Sequence, residues 1–249
     1  STYYVNLYAN YYNQCTSQQN VTVTVLPKPD AKFSETSPIC EKQTAVTFTD
    51  LSQGIDGSSV TNWWWSINGL ISTIKQPPTY FPLTDSTILV KLLIKTSDGC
   101  SSDTTTKNLI VHQRPNPNFA IKTNPLCSYE NLVFNDTSYF KKIANNDLVT
   151  KWNWIVNGSN TYSTQNINTV LPVGLNNIKL NVESNFGCKS LVLDSSILVH
   201  QKPFMQLAIS DSCVNVPVTY TVTDTNNVTN NWYWNFGNGF YKANNAVTY

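Results

Sequence analysis

Six cysteines and two histidines are the residues of this 249-residue chain best equipped to do chemistry, and their spacing is regular. Cys40, Cys127 and Cys213 stand 87 and 86 residues apart, and Cys15, Cys100 and Cys188 stand 85 and 88 apart. His112 and His200 are separated by 88. Thiols and imidazoles could bind a metal, serve a nucleophilic centre or, for the thiols, close disulfides. Metal binding calls for closely spaced ligands, and there is no C-x-x-C pair and almost no imidazole. Histidines at equivalent places in a repeating pattern read as structural repeats, not as a catalytic pair. No G-x-S-x-G elbow, H-E-x-x-H helix or phosphate-cradling glycine loop occurs. The 15 acidic residues are scattered singly, with no carboxylate pair for glycoside hydrolysis. The expectation is a non-enzyme without metal or cofactor. Disulfides remain, and they point to an oxidising, extracytoplasmic compartment.

What must position these cysteines is a repeat. "TILVKLLIKTSDGCSSDTTTKNLIVHQRP" (87–115) aligns with "NIKLNVESNFGCKSLVLDSSILVHQKP" (177–203) and with "YYVNLYANYYNQCTSQQNVTVTVLPKP" (3–29). Upstream, "PICEKQTAVTFTDLS" (38–52) matches "PLCSYENLVFNDTS" (125–138) and "DSCVNVPVTYTVTD" (211–224). The pattern divides the chain into a truncated repeat (1–27), two complete repeats (28–113 and 114–202) and the first half of another (203–249). Alternating β-branched segments such as "AVTFTDL" and "ILVKLLIKT", broken by Asn-Gly, Asp-Gly and proline turns, predict an all-β chain. About seven short strands in roughly 87 residues fit an immunoglobulin-like β-sandwich. The strands are expected near 31–35 (A), 45–51 (B), 63–67 (C), 87–96 (F) and 105–112 (G). Asp50, Asp136 and Asp224 recur where strand B ends, as side chains that hold a turn.

Strand C carries most of the tryptophan. "NWWWSING" (62–69), "KWNWIVNG" (151–158) and "NWYWNFGNG" (231–239) are equivalent. Alternate strand residues face opposite sides of a sheet. The face that is always tryptophan is therefore the core face: Trp63 and Trp65, Trp152 and Trp154, Trp232 and Trp234. The other face holds Trp64, Asn153 and Tyr233, so Trp64 is a candidate surface contact. A second candidate is the tyrosine face of "YYVNLYANYY", Tyr4, Tyr8 and Tyr12, opposite Val5, Leu7 and Ala9.

Charge excludes several partners. Sixteen Lys and Arg against 15 Asp and Glu leave a net charge of +1 and no basic patch, so neither nucleic acid nor an anionic membrane is expected to bind. No apolar run reaches the roughly 18 residues of a membrane span, so no direct membrane insertion is expected. "STYYVNLYANYYNQC" lacks the layout of a signal peptide and opens like a strand, as a piece cut from a larger protein would. "LPKPD" (26–30), "HQRPNP" (112–117) and "HQKPF" (200–204) read as short, proline-stiffened linkers.

Each repeat has one cysteine before strand B and one in the F–G turn. In a sandwich these lie at opposite poles, one strand length or roughly 20–26 Å apart. A disulfide tolerates only about 4.4–6.8 Å between Cα atoms. Stacked end to end, however, one repeat's A–B pole faces the next repeat's F–G pole. Cys40 with Cys188 is then the preferred pair, leaving Cys127 and Cys100 to reach further repeats. Pairing within a repeat, Cys40 with Cys100 and Cys127 with Cys188, stays open should Cys40 lie further up the sandwich.

With these segments in hand, the repeats resemble PKD-type immunoglobulin-like domains, and in particular the tandem repeats of giant Bacteroidetes cell-surface adhesins (SprB-type, used in gliding motility). "CEKQTAVTFTDLS" (40–52), "QPPTYF" (76–81), "SDGC" (97–100) and "WNFGNG" (234–239) carry the resemblance, which spans essentially the whole chain. Asn238 stands where the family turn has an acidic residue, so no calcium site is expected. The resemblance implies export across the outer membrane by type IX secretion to the extracellular cell surface. It also implies a stalk that gives length and stiffness for attachment or gliding. Its implied partners are neighbouring repeats, surface polysaccharide or an outer-membrane motility or secretion complex. Asp85-Ser86-Thr87 and Asp103-Thr104-Thr105 resemble O-glycan acceptors of exported Bacteroidetes proteins, with Ser86 and Thr104 as acceptors. The alternative is a carbohydrate-binding module array of a secreted polysaccharide-degrading protein, contacting sugar through Trp64, Tyr4, Tyr8 and Tyr12.

Overall fold

A computed structural model describes residues 1–11, 15–84, 86–142, 146–210, 213, 216–229, 231–237 and 239–248. It divides into two compact units, Ser1–Pro115 with Phe140–Thr150 and Glu183–Ser190, and Asn116–Tyr139 with Lys151–Val182 and Leu191–Tyr249.

The first unit contains a complete sandwich. One layer is a five-stranded sheet in the order Ile39–Cys40, Thr105–His112, Thr87–Thr96, Val60–Ile67, Leu70–Ser72. The other pairs Phe33–Glu35 with Phe48–Asp50, continued by a bridge between Val46 and Tyr80. Burial follows the alternation read from the sequence. In Thr87–Thr96, Ile88, Val90, Leu92 and Ile94 are buried and the residues between them mostly face water. These side chains meet Phe48, Val46, Leu109 and Val111 around Trp65, which lies edge-on to Phe33 at 5.4 Å. A buried aromatic of this size dominates a small core. The shortest strand was not foreseen. Ile39–Cys40 pairs in parallel with the end of Thr105–His112, and this fixes Cys40 on the sheet itself.

In the same unit, Thr2–Tyr11 and Cys15–Thr24 form an antiparallel hairpin exposed on both faces. Tyr4 and Tyr8 lie on one of them, while Tyr12 is outside the described residues.

The strand order Asn160–Tyr162, Val149–Val156, Gly174–Ser184, Leu193–Val199, in the second unit except for residues 149–150 and 183–184, makes one layer. Phe119–Ile121, Asn131–Asp136 and Ile167–Val170 make the other. Trp154 is fully buried against Phe119 and Phe134, and its indole N–H donates to the Thr164 carbonyl at 3.0 Å. Beyond it, Met205–Ile209, Thr219–Asp224 and Ala246–Thr248 form a third sheet, and Trp232–Asn235 pairs with Phe240–Ala243. Here Trp232 and Trp234 are only half-buried, and Met205, Leu207 and Ile209 are exposed. Trp63 and Trp152 are likewise half-buried. Of the six tryptophans expected in the core, Trp65 and Trp154 are buried and the other four are half-buried.

Candidate functional site

Two of the six cysteines, Cys40 and Cys188, and one of the two histidines, His112, meet at one place in the first unit. Cys40 and Cys188 form a disulfide with Cα atoms 5.5 Å apart, across a sequence separation of 148. Cys40 is held by its short strand. Cys188 sits in a turn closed by Ser184 N–H donating to the Cys188 carbonyl at 2.9 Å. Cys100 and Cys127 are free, so neither within-repeat pair, Cys40 with Cys100 or Cys127 with Cys188, is formed. The reason is positional: Cys40 stands at the end of the sheet where His112 ends, paired with it in parallel.

Around the disulfide lies a buried polar cluster. The His112 ring stacks on Phe186 with centroids 3.6 Å apart, and its Nδ1 is 2.9 Å from Asp147 Oδ1. Gln113 makes a reciprocal amide pair with one backbone unit: its Nε2 donates to the Lys142 carbonyl and its Oε1 accepts from the Lys142 N–H, both at 3.2 Å. Arg114 Nε donates to the Lys189 carbonyl at 2.8 Å, and Lys189 N–H donates to Gln43 Oε1 at 2.9 Å. His112 is 8% exposed and Gln113 4%. The segment read from sequence as a linker is thus sealed into the fold.

Both cysteines of the disulfide are buried. What the cluster can do is resist separation. Closing a loop of this length removes denatured-state entropy worth about 5 kcal/mol on the chain-entropy account. The stack and hydrogen bonds then fix the orientation of the joined segments. Asp147 Oδ2 is buried without a hydrogen-bond partner, so the His112 contact is the main compensation its carboxylate receives.

The second unit repeats half of this arrangement. Cys127 bridges His200 in parallel, and Ser128 N–H donates to the His200 carbonyl at 2.7 Å. Lys202 Nζ pairs with Glu130 Oε1 at 2.7 Å, and that carboxylate holds the Lys202 ammonium above its usual range. Here His200 and Gln201 are exposed.

The remaining sequence candidates stand apart from both places. Trp64 is 40% exposed, paired across the sheet with Leu93. Ser86 and Thr104 are exposed, and Asp103 is ion-paired with Lys28, whereas Asp85 lies outside the described residues. Asp50 accepts from the Ser52 N–H at 3.0 Å and from the Trp63 indole at 2.8 Å. Asp136 accepts from Ser138 N–H, and Asp224 from the N–H groups of Asn226, Val228 and Thr229. Among the described residues, no group of three or more His, Cys, Asp or Glu could hold a metal.

Sequence reasoning missed Phe186, Asp147, Lys142 and Gln43 as parts of one cluster. One signal was present: the His-Gln dipeptide recurs at 112–113 and 200–201, inside segments whose prolines pointed to linkers.

No family model and no curated protein matches the chain. Among solved structures, the fibronectin(III)-like modules of Clostridium thermocellum CbhA are 14% identical over 68% of this chain and 95% of theirs, with a TM-score of 0.35. Three N-terminal domains of the bacteriophage RB49 highly immunogenic outer capsid protein are 14% identical over 87% and 78%, with a TM-score of 0.35. The central fibronectin-III array of RIM-binding protein is 12% identical over 80% and 81%, with a TM-score of 0.24. By its own sheets and cores, the chain is an all-β protein of tandem immunoglobulin-like sandwiches.

Proposed function

We propose that this chain is a segment of the stalk of a large, repetitive cell-surface adhesin of the PKD-like, gliding-motility type. It supplies length and stiffness rather than catalysis. One observation carries the reading. The Cys40–Cys188 disulfide joins the A–B cysteine of one sequence repeat to the F–G cysteine of the next, and polar contacts seal the bond. A bond within a repeat would shield that repeat from force. A bond between repeats instead fixes the angle at which they meet, which is what a stalk needs. On this reading the repeats 1–27, 28–113, 114–202 and 203–249 are successive units of one long array. The parent protein is exported through the type IX route and displayed outside the outer membrane, and Ser86 and Thr104 carry glycans.

The carbohydrate-binding alternative is the weaker reading. A binding array repeats its exposed aromatics, and Trp64 is replaced by Asn153 at the equivalent place.

Small-angle scattering of the 249-residue chain, with and without reductant, tests the stalk reading. A particle long for its mass that becomes shorter and more variable on reduction is expected. Identical compact profiles in both states would sink it.

A further inference from the structure

We propose that the surface around Cys127 and His200 is a docking site for the Gly-Cys turn of another repeat of this type, whose cysteine closes a disulfide to Cys127. The inference rests on the stalk reading and names the partner of its next joint. The two histidine sites share their backbone. Glu41 N–H donates to the His112 carbonyl at 3.0 Å, as Ser128 N–H does to that of His200. Two residues past each histidine, Arg114 N–H donates to Glu41 Oε1 at 3.3 Å and Lys202 N–H to Ser128 Oγ at 3.0 Å. At Cys40 this frame is covered by Phe186, Cys188 and Lys189; at Cys127, where Ser128 is buried and Cys127 half-buried, His200 and Gln201 are exposed.

The covering element recurs too. Thr96 N–H donates to the Cys100 carbonyl at 3.0 Å, as Ser184 N–H does to that of Cys188. Gly99 and Gly187 take φ of 83° and 78° in the two turns, a conformation that favours glycine. The turn is therefore a built part of the repeat, fitted to a surface that is also a built part. An incoming turn of the 184–188 kind, with Phe before its Gly where the 96–100 turn has Asp98, would stack that aromatic on His200 and donate its backbone N–H to Glu130, which stands where Gln43 accepts from Lys189. Formation of the bond takes two protons and two electrons from the thiol pair. A low-molecular-weight disulfide accepts them and leaves as two thiols.

The test is thiol–disulfide exchange on the 249-residue chain with Cys40–Cys188 intact. The probe is the octapeptide Glu-Ser-Asn-Phe-Gly-Cys-Lys-Ser, the 183–190 sequence, activated as its thiopyridyl disulfide. Initial rates at Cys15, Cys100, Cys127 and Cys213 are read by mass spectrometry and divided by those for thiopyridyl-activated glutathione. Cys127 should be enriched roughly tenfold, the scale of one aromatic stack with a hydrogen bond. The enrichment should fall several-fold with a peptide carrying Ala for Phe, and likewise in His200→Ala. Equal ratios at all four cysteines, preference for another cysteine, or indifference to the Phe and His changes would overturn the docking site. Failure here with an extended particle in scattering removes this partner and leaves the stalk reading. A compact particle with Cys127 still selected does the reverse.

Discussion

Two surfaces of this molecule share a cysteine bridged to a His-Gln pair and end in opposite states. At Cys40 the cysteine is oxidised, His112 is stacked on Phe186 and Gln113 is sealed against Lys142. At Cys127 the thiol is free, and His200 and Gln201 face solvent. The parallel bridge from cysteine to histidine and the N–H bond to the histidine carbonyl match, so the difference lies in what covers them. Burial of a histidine here is a property of what packs on it and not of the strand that carries it. Substitutions made in pairs, one at each surface, should therefore separate cleanly.

The largest separation should come from the cysteines. Cys40→Ser opens the long loop and is expected to destabilise the first unit by about 5 kcal/mol at most. Cys127→Ser should leave unfolding unchanged. Hydrogen exchange of the 184–190 amides, followed alongside calorimetry, reads the loss where it occurs. Equal effects at the two cysteines would erase the contrast between the surfaces.

This first pair also shows where the sequence was legible. The all-β class, the strands holding Trp65 and Trp154, and the preferred disulfide followed from alternation, repeat spacing and the reach of an S–S bond. Each of these depends on patterns that local sequence encodes. The polar cluster does not. Phe186, Asp147 and Lys142 come from loops whose composition is that of any turn, and only their meeting gives them a role. Prolines at 115 and 117 made His112–Arg114 look like exposed linker. Tertiary cover overrode that signal, because a strand ending at His112 and paired with Ile39–Cys40 holds the segment against the sheet. Ile39–Cys40 itself is too short to show any period.

Next in size is the histidine pair. His112→Ala removes the stack on Phe186 and strands the buried Asp147 carboxylate, whose Oδ2 already lacks a hydrogen-bond partner. An uncompensated buried charge of this kind should cost about 3 kcal/mol. His200→Ala, on an exposed side chain, should fall within about 0.5 kcal/mol. Chemical denaturation of each variant, followed by tryptophan fluorescence, measures both. A His112→Ala cost as small as that of His200→Ala would mean that the cluster is packed but not coupled.

Gln113→Ala should cost less, about 1–2 kcal/mol, because it leaves one N–H and one carbonyl of Lys142 without their amide partner. Gln201→Ala should be silent in the same denaturation assay. Should Gln201→Ala also destabilise, the second surface is covered in solution and the comparison fails.

The smallest expected effect lies in the residue that follows, where the repeat has made the substitution itself. Position 114 is Arg and its counterpart, 202, is Lys. Arg114 uses Nε to reach the Lys189 carbonyl, and its own backbone N–H is held by Glu41. Arg114→Lys keeps the charge and the backbone contact and loses only the fixed geometry of the guanidinium donor. The cost should be about 0.5–1 kcal/mol, one hydrogen bond to a carbonyl. It should appear as faster exchange confined to the 184–190 amides, with global unfolding nearly unchanged. Lys202 already lives with that loss, because its ammonium is turned to Glu130 on an open surface. If Arg114→Lys loosens nothing, the 184–190 segment is held by the disulfide and the His112 stack without help from the guanidinium, and Arg and Lys are interchangeable in the repeat.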